Sequence, residues 1–146
     1  MDPVCRYESL RLIRQLAFQY LGLPYRYGGD DPIAGFDCSG FVVELLTAVG
    51  VLKHKSDYTS QGLYDEFKHR PTEPAYCGAL VFYGDGPTEI EHVALCIGPY
   101  HCIEAAGGDS TTDTVEEAER RNAVIRVRPI HGIRRIVDIV DPFAGP

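Results

Sequence analysis

The chain has no tryptophan, one methionine and no Cys-x-x-Cys pair among its five cysteines, Cys5, Cys38, Cys77, Cys96 and Cys102. That odd number and that spacing argue against a disulfide framework and a zinc knuckle, and leave at least one thiol unpaired. Basic charge is also scarce. Lys and Arg number 14 against 21 Asp and Glu, a net charge of -7, which argues against nucleic acid or an anionic membrane surface as partner. No run approaches the roughly 20 apolar residues of a membrane span. The first residues, MDPVCRYESL, lack the basic-then-apolar pattern of a secretory signal. Delivery outside the cell is therefore expected to use another route. Neither an internal repeat nor a low-complexity segment occurs. What remains is ordinary globular composition, 45% apolar and 24% charged over 146 residues, and residues 1–146 read as a single domain.

Periodicity divides the chain in two. Leu10, Ile13, Leu16, Ala17, Tyr20 and Leu21 recur at helical spacing and predict a helix over 7–21, closed by Gly22 and Pro24. PYRYGGDDPIAG reads as a loop. Asp37 is an N-cap for a second helix, in which Phe41, Val42, Leu45 and Leu46 make a core-facing stripe that ends at Gly50. A shorter third helix is predicted over 57–68, capped by Asp57, Thr59 or Ser60. Short β-rich runs follow: GALVFYGDG, EHVALCIG, HCIEAA, VIRVRPI and RRIVDIVD. Before the fourth lies the polar loop GGDSTTDTVEEAERRNA, with Thr114 and Glu117 at capping-box spacing. Helices first and antiparallel strands afterwards predict an α+β fold with the helices on one sheet face.

The stretch GFDCSGF holds the chemistry. Cys38 follows the N-cap Asp37, so its sulfur is expected near the positive end of a helix dipole, which favours thiolate over thiol. Small Ser39 and Gly40 leave room for a substrate carbonyl, and helix-start N–H groups are available to an oxyanion. A thiol nucleophile needs a base, and five histidines are candidates: His54, His69, His92, His101 and His131. If EHVALCIG and HCIEAA form a hairpin turning symmetrically at residue 98, His92 stands opposite Glu104 on one face and His101 points to the other. A register shift that preserves facing keeps His92 and Glu104 neighbours. Cys77, Cys96 and Cys102 are expected as core thiols inside or beside strands, the last two on the His92 face. His54 and His69 read as surface residues, and the arginines between 120 and 135 as a solvated face.

These residues resemble the NlpC family of papain-like cysteine peptidases, many of which cut bacterial cell-wall peptides. The similarity runs through LGLPYRYGG, GFDCSGFV and HVALCIG, then an EAAGG segment, covering roughly residues 8–107. It implies a papain-like α+β fold with N-terminal helices packed on a central antiparallel β-sheet. It implies that Cys38 is the nucleophile, His92 the general base and later acid, and Glu104 the orienting group. It adds the Tyr25 hydroxyl and Ser39 to the oxyanion hole, and sets Asp37 and Ser39 beside the substrate. That substrate would be a peptidoglycan stem peptide cut between D-glutamate and the diamino acid, with no metal and no cofactor. Two positions depart from the family pattern: Glu104 stands where many relatives have histidine, and Ala79 where aspartate is common. An amidase or acyltransferase on the same scaffold, or a non-catalytic binding or assembly domain, are the alternatives. With no signal peptide and no wall-binding repeat, association with phage virion or tail proteins, or release at lysis, is the expected setting.

Overall fold

The computed structural model describes residues 2–24, 30–31, 35–106, 116–117, 120 and 123–144. Helix α1 spans Pro3–Gln19, α2 spans Cys38–Ala48 and α3 spans Ser60–Phe67. A small hairpin of two-residue strands, β1 (Asp30–Asp31) with β2 (Gly35–Phe36), lies between α1 and α2, at the end of the stretch read as loop. Strands β3 (Leu80–Gly86), β4 (Glu89–Cys96), β5 (His101–Ala106), β6 (Val124–Pro129) and β7 (Ile136–Val140) form one antiparallel sheet in the order β6-β5-β4-β3-β7.

Local chemistry explains the helix ends. Helix α1 begins four residues before the predicted start, because Asp2 caps it by accepting the N–H groups of Val4 and Cys5, with Pro3 opening the first turn. Thr59, one of three proposed caps, closes the start of α3 by accepting the Gly62 N–H at 3.0 Å. Asp37 caps α2 as expected, accepting the Gly40 N–H at 2.7 Å. Gly50, at φ +81°, supplies the left-handed turn that releases the chain after α2.

The sheet has two different faces. Leu80, Phe82, Val93, Leu95, Ile103 and Ala105 join Ile13 and Ala17 of α1, the apolar stripe of α2 and Leu63 of α3 in one core. Phe41, Val42, Leu45 and Leu46 of α2 are fully buried there, each contributing about 1.5–3 kcal/mol of hydrophobic stabilisation. The other face carries Val81, Tyr83, Ala94, Cys96 and Cys102 in a second, smaller cluster under Ala75 and Ile130. Alternation along β4 and β5 assigns His92 and Glu104 to this second face.

Register decides how those two residues meet. Leu95 pairs with Ile103 and Cys96 with Cys102, so the hairpin is centred on residue 99 rather than 98. The offset moves each partner by two positions and keeps its face. His92 and Glu104 are thus diagonal neighbours, not directly opposed, and their side chains close the gap. On the other side of β4 the ladder shifts between Tyr83 and Gly84, where Tyr83 pairs with His92 but Gly84 with Ile90. This bulge re-aims the strand just before His92.

Gly84 is required at that bulge, since a Cβ there would run into the carbonyl oxygen of Glu89 on the adjacent strand. Gly84→Ala is expected to lower stability by about 1–3 kcal/mol, read from the midpoint of urea unfolding.

Candidate active site

Cys38 is the first residue of α2, and as a whole it is only part-buried. Its sulfur sits deep. The amides of Ser39 and of Val93, the residue after His92 on β4, favour its anion. Burial first, and then the charge of neighbouring Asp37, push the thiol up to about 11. The expectation of a resting thiolate is therefore corrected. The dipole at the start of α2 is opposed by the carboxylate that caps it, and a buried anion loses its water.

His92 and Glu104 meet on the second face of the sheet. Nε2 of His92 lies 2.5 Å from Oε2 of Glu104, and the residues are 8% and 1% exposed. Burial holds the imidazole below its ordinary value, against the opposing pull of Glu104. For Glu104, burial alone would raise the carboxyl, but the His92 hydrogen bond and the Arg134 charge outweigh it and hold it below the usual range. The pair is thus a neutral imidazole donating from Nε2 to a carboxylate. Its other nitrogen, Nδ1, keeps a lone pair for a proton. Among the described residues no thiol–imidazole hydrogen bond forms. The resting site holds a protonated thiol, a neutral base and an ionised orienting group.

Arg134 is the residue that sequence reading missed. Its Nη1 lies 3.1 Å from Oε2 and 3.3 Å from Oε1 of Glu104. The guanidinium also lies 5.8 Å from the centre of the Tyr83 ring, and that ring is 5.8 Å from the His92 ring. Arg134 is 30 residues beyond Glu104 in the β6–β7 connection, and no periodic pattern links the two. Arg126 faces Glu104 directly across the β5–β6 ladder. The arginines read as a solvated face thus include two that surround a buried carboxylate. A cavity of about 400 Å³ opens beside Arg134, lined also by Tyr83, Asp85, Glu91, His92 and Arg135.

The Ser39 hydroxyl donates to Asp37 Oδ1 at 3.3 Å, so both side chains serve the cap at the start of α2. His101 is exposed, as are His54, His69 and His131. Tyr25, given to the oxyanion hole, and Thr114 of the capping box lie outside the described residues. Among the described residues, no group of three His, Cys, Asp or Glu side chains gathers as a metal site, and no helix is long and apolar enough to cross a membrane.

With this geometry in view, the comparison with known proteins is decisive at the family level. The family model for NlpC/P60 matches residues 22–129. The chain belongs to the NlpC/P60 family. Peptidoglycan endopeptidase RipB of Mycobacterium tuberculosis is 31% identical over 134 residues, which cover 82% of this chain and 54% of RipB. Gamma-D-glutamyl-L-lysine dipeptidyl-peptidase of Bacillus subtilis is 36% identical over 83 residues, 54% of this chain and 26% of that protein. The chain thus spans about half the length of RipB, and less of the other. The solved structure of the RipB peptidoglycan hydrolase superposes with a TM-score of 0.75 at 23% identity, covering 99% of this chain and 70% of that one. The papain-like α+β fold follows from that likeness. In this NlpC/P60 domain β7 lies beyond the family match and completes the sheet edge by pairing with β3.

Two measurements probe the electrostatics. Asp37→Asn keeps a capping oxygen and removes the charge that lifts Cys38, so iodoacetamide should alkylate the variant several-fold faster than wild type at the same pH near 8. Glu104, lowered in the folded state from an ordinary 4.5, contributes stability above that pH and loses it as pH falls through its folded value. His92, lowered from 6.5, adds an acid loss of the same sign, since the unfolded chain binds the proton first. Arg134→Gln raises the folded value of Glu104, so the acid midpoint of unfolding should move to higher pH, and Arg134→Lys should restore part of the difference.

Proposed function

We propose that this domain is a cysteine peptidase that hydrolyses peptide bonds of peptidoglycan stem peptides, at the D-glutamyl–diamino acid position. The observation that carries the reading is the buried His92–Glu104 hydrogen bond, made from the strand residue that precedes Val93, whose amide favours the Cys38 anion. Such an arrangement fixes one imidazole nitrogen from behind and leaves the other for the thiol proton. The names of similar proteins, a peptidoglycan endopeptidase and a gamma-D-glutamyl-L-lysine dipeptidyl-peptidase, support the choice of substrate.

The chemistry proceeds from the neutral pair. As the substrate carbonyl reaches the start of α2, the Cys38 proton passes to Nδ1 of His92 and the sulfur attacks the carbonyl carbon. Glu104, held ionised by Arg134, stabilises the imidazolium that forms. Helix-start amides, with Tyr25 as an added donor, offset the charge on the tetrahedral oxygen. His92 returns its proton to the leaving amine, the C–N bond breaks, and a thioester remains. Water then attacks the thioester with His92 again as base, releasing the acid and the thiol. The raised thiol pKa fits this sequence. An enzyme that keeps its nucleophile protonated at rest makes the thiolate in step with attack.

The test is incubation with purified muropeptides while product masses are followed. Wild type should release fragments split at the D-glutamyl–diamino acid bond, and Cys38→Ala should fall at least about a thousandfold. Identical behaviour of the two proteins would sink the assignment.

A further inference from the structure

Cys96 and Cys102 take no part in that chemistry. They stand directly opposite each other in the β4–β5 ladder, share one sheet face, and are both fully buried. The backbone tells which kind of pair they form. Cys96 donates its N–H to Ala79 O at 2.8 Å, and its C=O accepts the Gly78 N–H at 2.9 Å. Both its polar groups are thus turned to the β3 side. The bond to β5 is made by the next residue, Ile97 N–H to His101 O at 2.9 Å. Cys96 and Cys102 are therefore a non-hydrogen-bonded pair, the kind in which opposed Cα atoms approach to about 4.5 Å and side chains come closest. A disulfide spans Cα separations of about 4.4–6.8 Å, so the backbone already has the required spacing.

We propose that Cys96 and Cys102 are a disulfide site, joined across the strands when the chain folds in an oxidising environment. The oxidant is an external small-molecule disulfide. One cysteine thiolate attacks it, forming a mixed disulfide and releasing one small thiol. The second cysteine thiolate displaces the other small thiol and closes the protein S–S bond. Two protein S–H bonds are lost, one S–S bond is gained, and the external disulfide is reduced to two thiols that take up the protons. Burial sets the timing, because the closed sheet keeps solvent reagents from both sulfurs. Cys77 is the natural competitor. It is only part-buried, and its neighbour Gly78 is hydrogen-bonded to Cys96. The site stands independently of the role given to Cys38. Its consequence lies nearby, since Cys96 is on the strand of His92 and Cys102 on that of Glu104. The bond would lock the two strands that hold those side chains 2.5 Å apart.

The test uses the whole chain. Reduced, unfolded protein is refolded in a mixture of glutathione and glutathione disulfide, and a second sample is exported to an oxidising periplasm. Both are trapped with iodoacetamide in denaturant and digested without reductant, using chymotrypsin to cut at Tyr100 between the two cysteines. The expected product is a Cys96 peptide joined to a Cys102 peptide and lighter by two hydrogens, with Cys5, Cys38 and Cys77 alkylated. Cys77→Ser should give the same link. Alkylation of all five cysteines in both samples, or a Cys96–Cys77 link in place of the expected one, would overturn the proposal.

Discussion

Everything at this site depends on keeping a carboxylate ionised inside a sheet face that excludes water. A buried carboxylate is costly unless its lone pairs are occupied by good donors. Glu104 has two, the imidazole of His92 and the guanidinium of Arg134, and Arg126 stands across the ladder. These hold Glu104 charged where burial would neutralise it. The same charge fixes the His92 tautomer. If Glu104 were protonated, Nε2–H would lose its charged acceptor and the imidazolium its counter-ion.

The start of α2 shows a second balance of opposing terms. Asp37 accepts the Gly40 N–H and so stabilises the helix that carries Cys38. Its charge also counters the dipole that would otherwise favour a thiolate. In a site this enclosed the carboxylate and the loss of hydration outweigh the dipole, and the thiol stays protonated. Helix stability and nucleophile activation compete for one residue. Transfer of the proton to His92 during attack resolves that competition, because the negative charge then moves onto the substrate and need not persist on sulfur.

The architecture explains how residues 54 and 66 positions apart come to share a site. The helix bearing Cys38 packs on the apolar face of the sheet, while strand alternation assigns His92 and Glu104 to the other. The two are linked through β4, whose Val93 amide, next to His92, favours the Cys38 anion that burial opposes. The bulge beside Gly84 turns the strand at that point. β4 is thus the shared wall of helix, base and cavity.

Much of this was legible in the residues. Asp37 before an apolar stripe, alternation in HVALCIG and the facing of His92 and Glu104 are local properties, fixed by helix capping and by the period-2 geometry of strands. The two-residue offset of the hairpin did not disturb that facing, because only an odd offset would exchange faces. Three matters needed the folded chain. Arg134 reaches Glu104 through a connection with no periodic pattern, so its partner exists only once β6 and β7 are in place. The protonation of Cys38 depends on how much water the assembled site excludes. The opposition of Cys96 and Cys102 as a non-hydrogen-bonded pair depends on the register of β4 against both neighbours. By itself, then, the sequence determined which side chains share a face. Tertiary structure decided which charges survive there, because burial and long-range partners are properties of the packed chain.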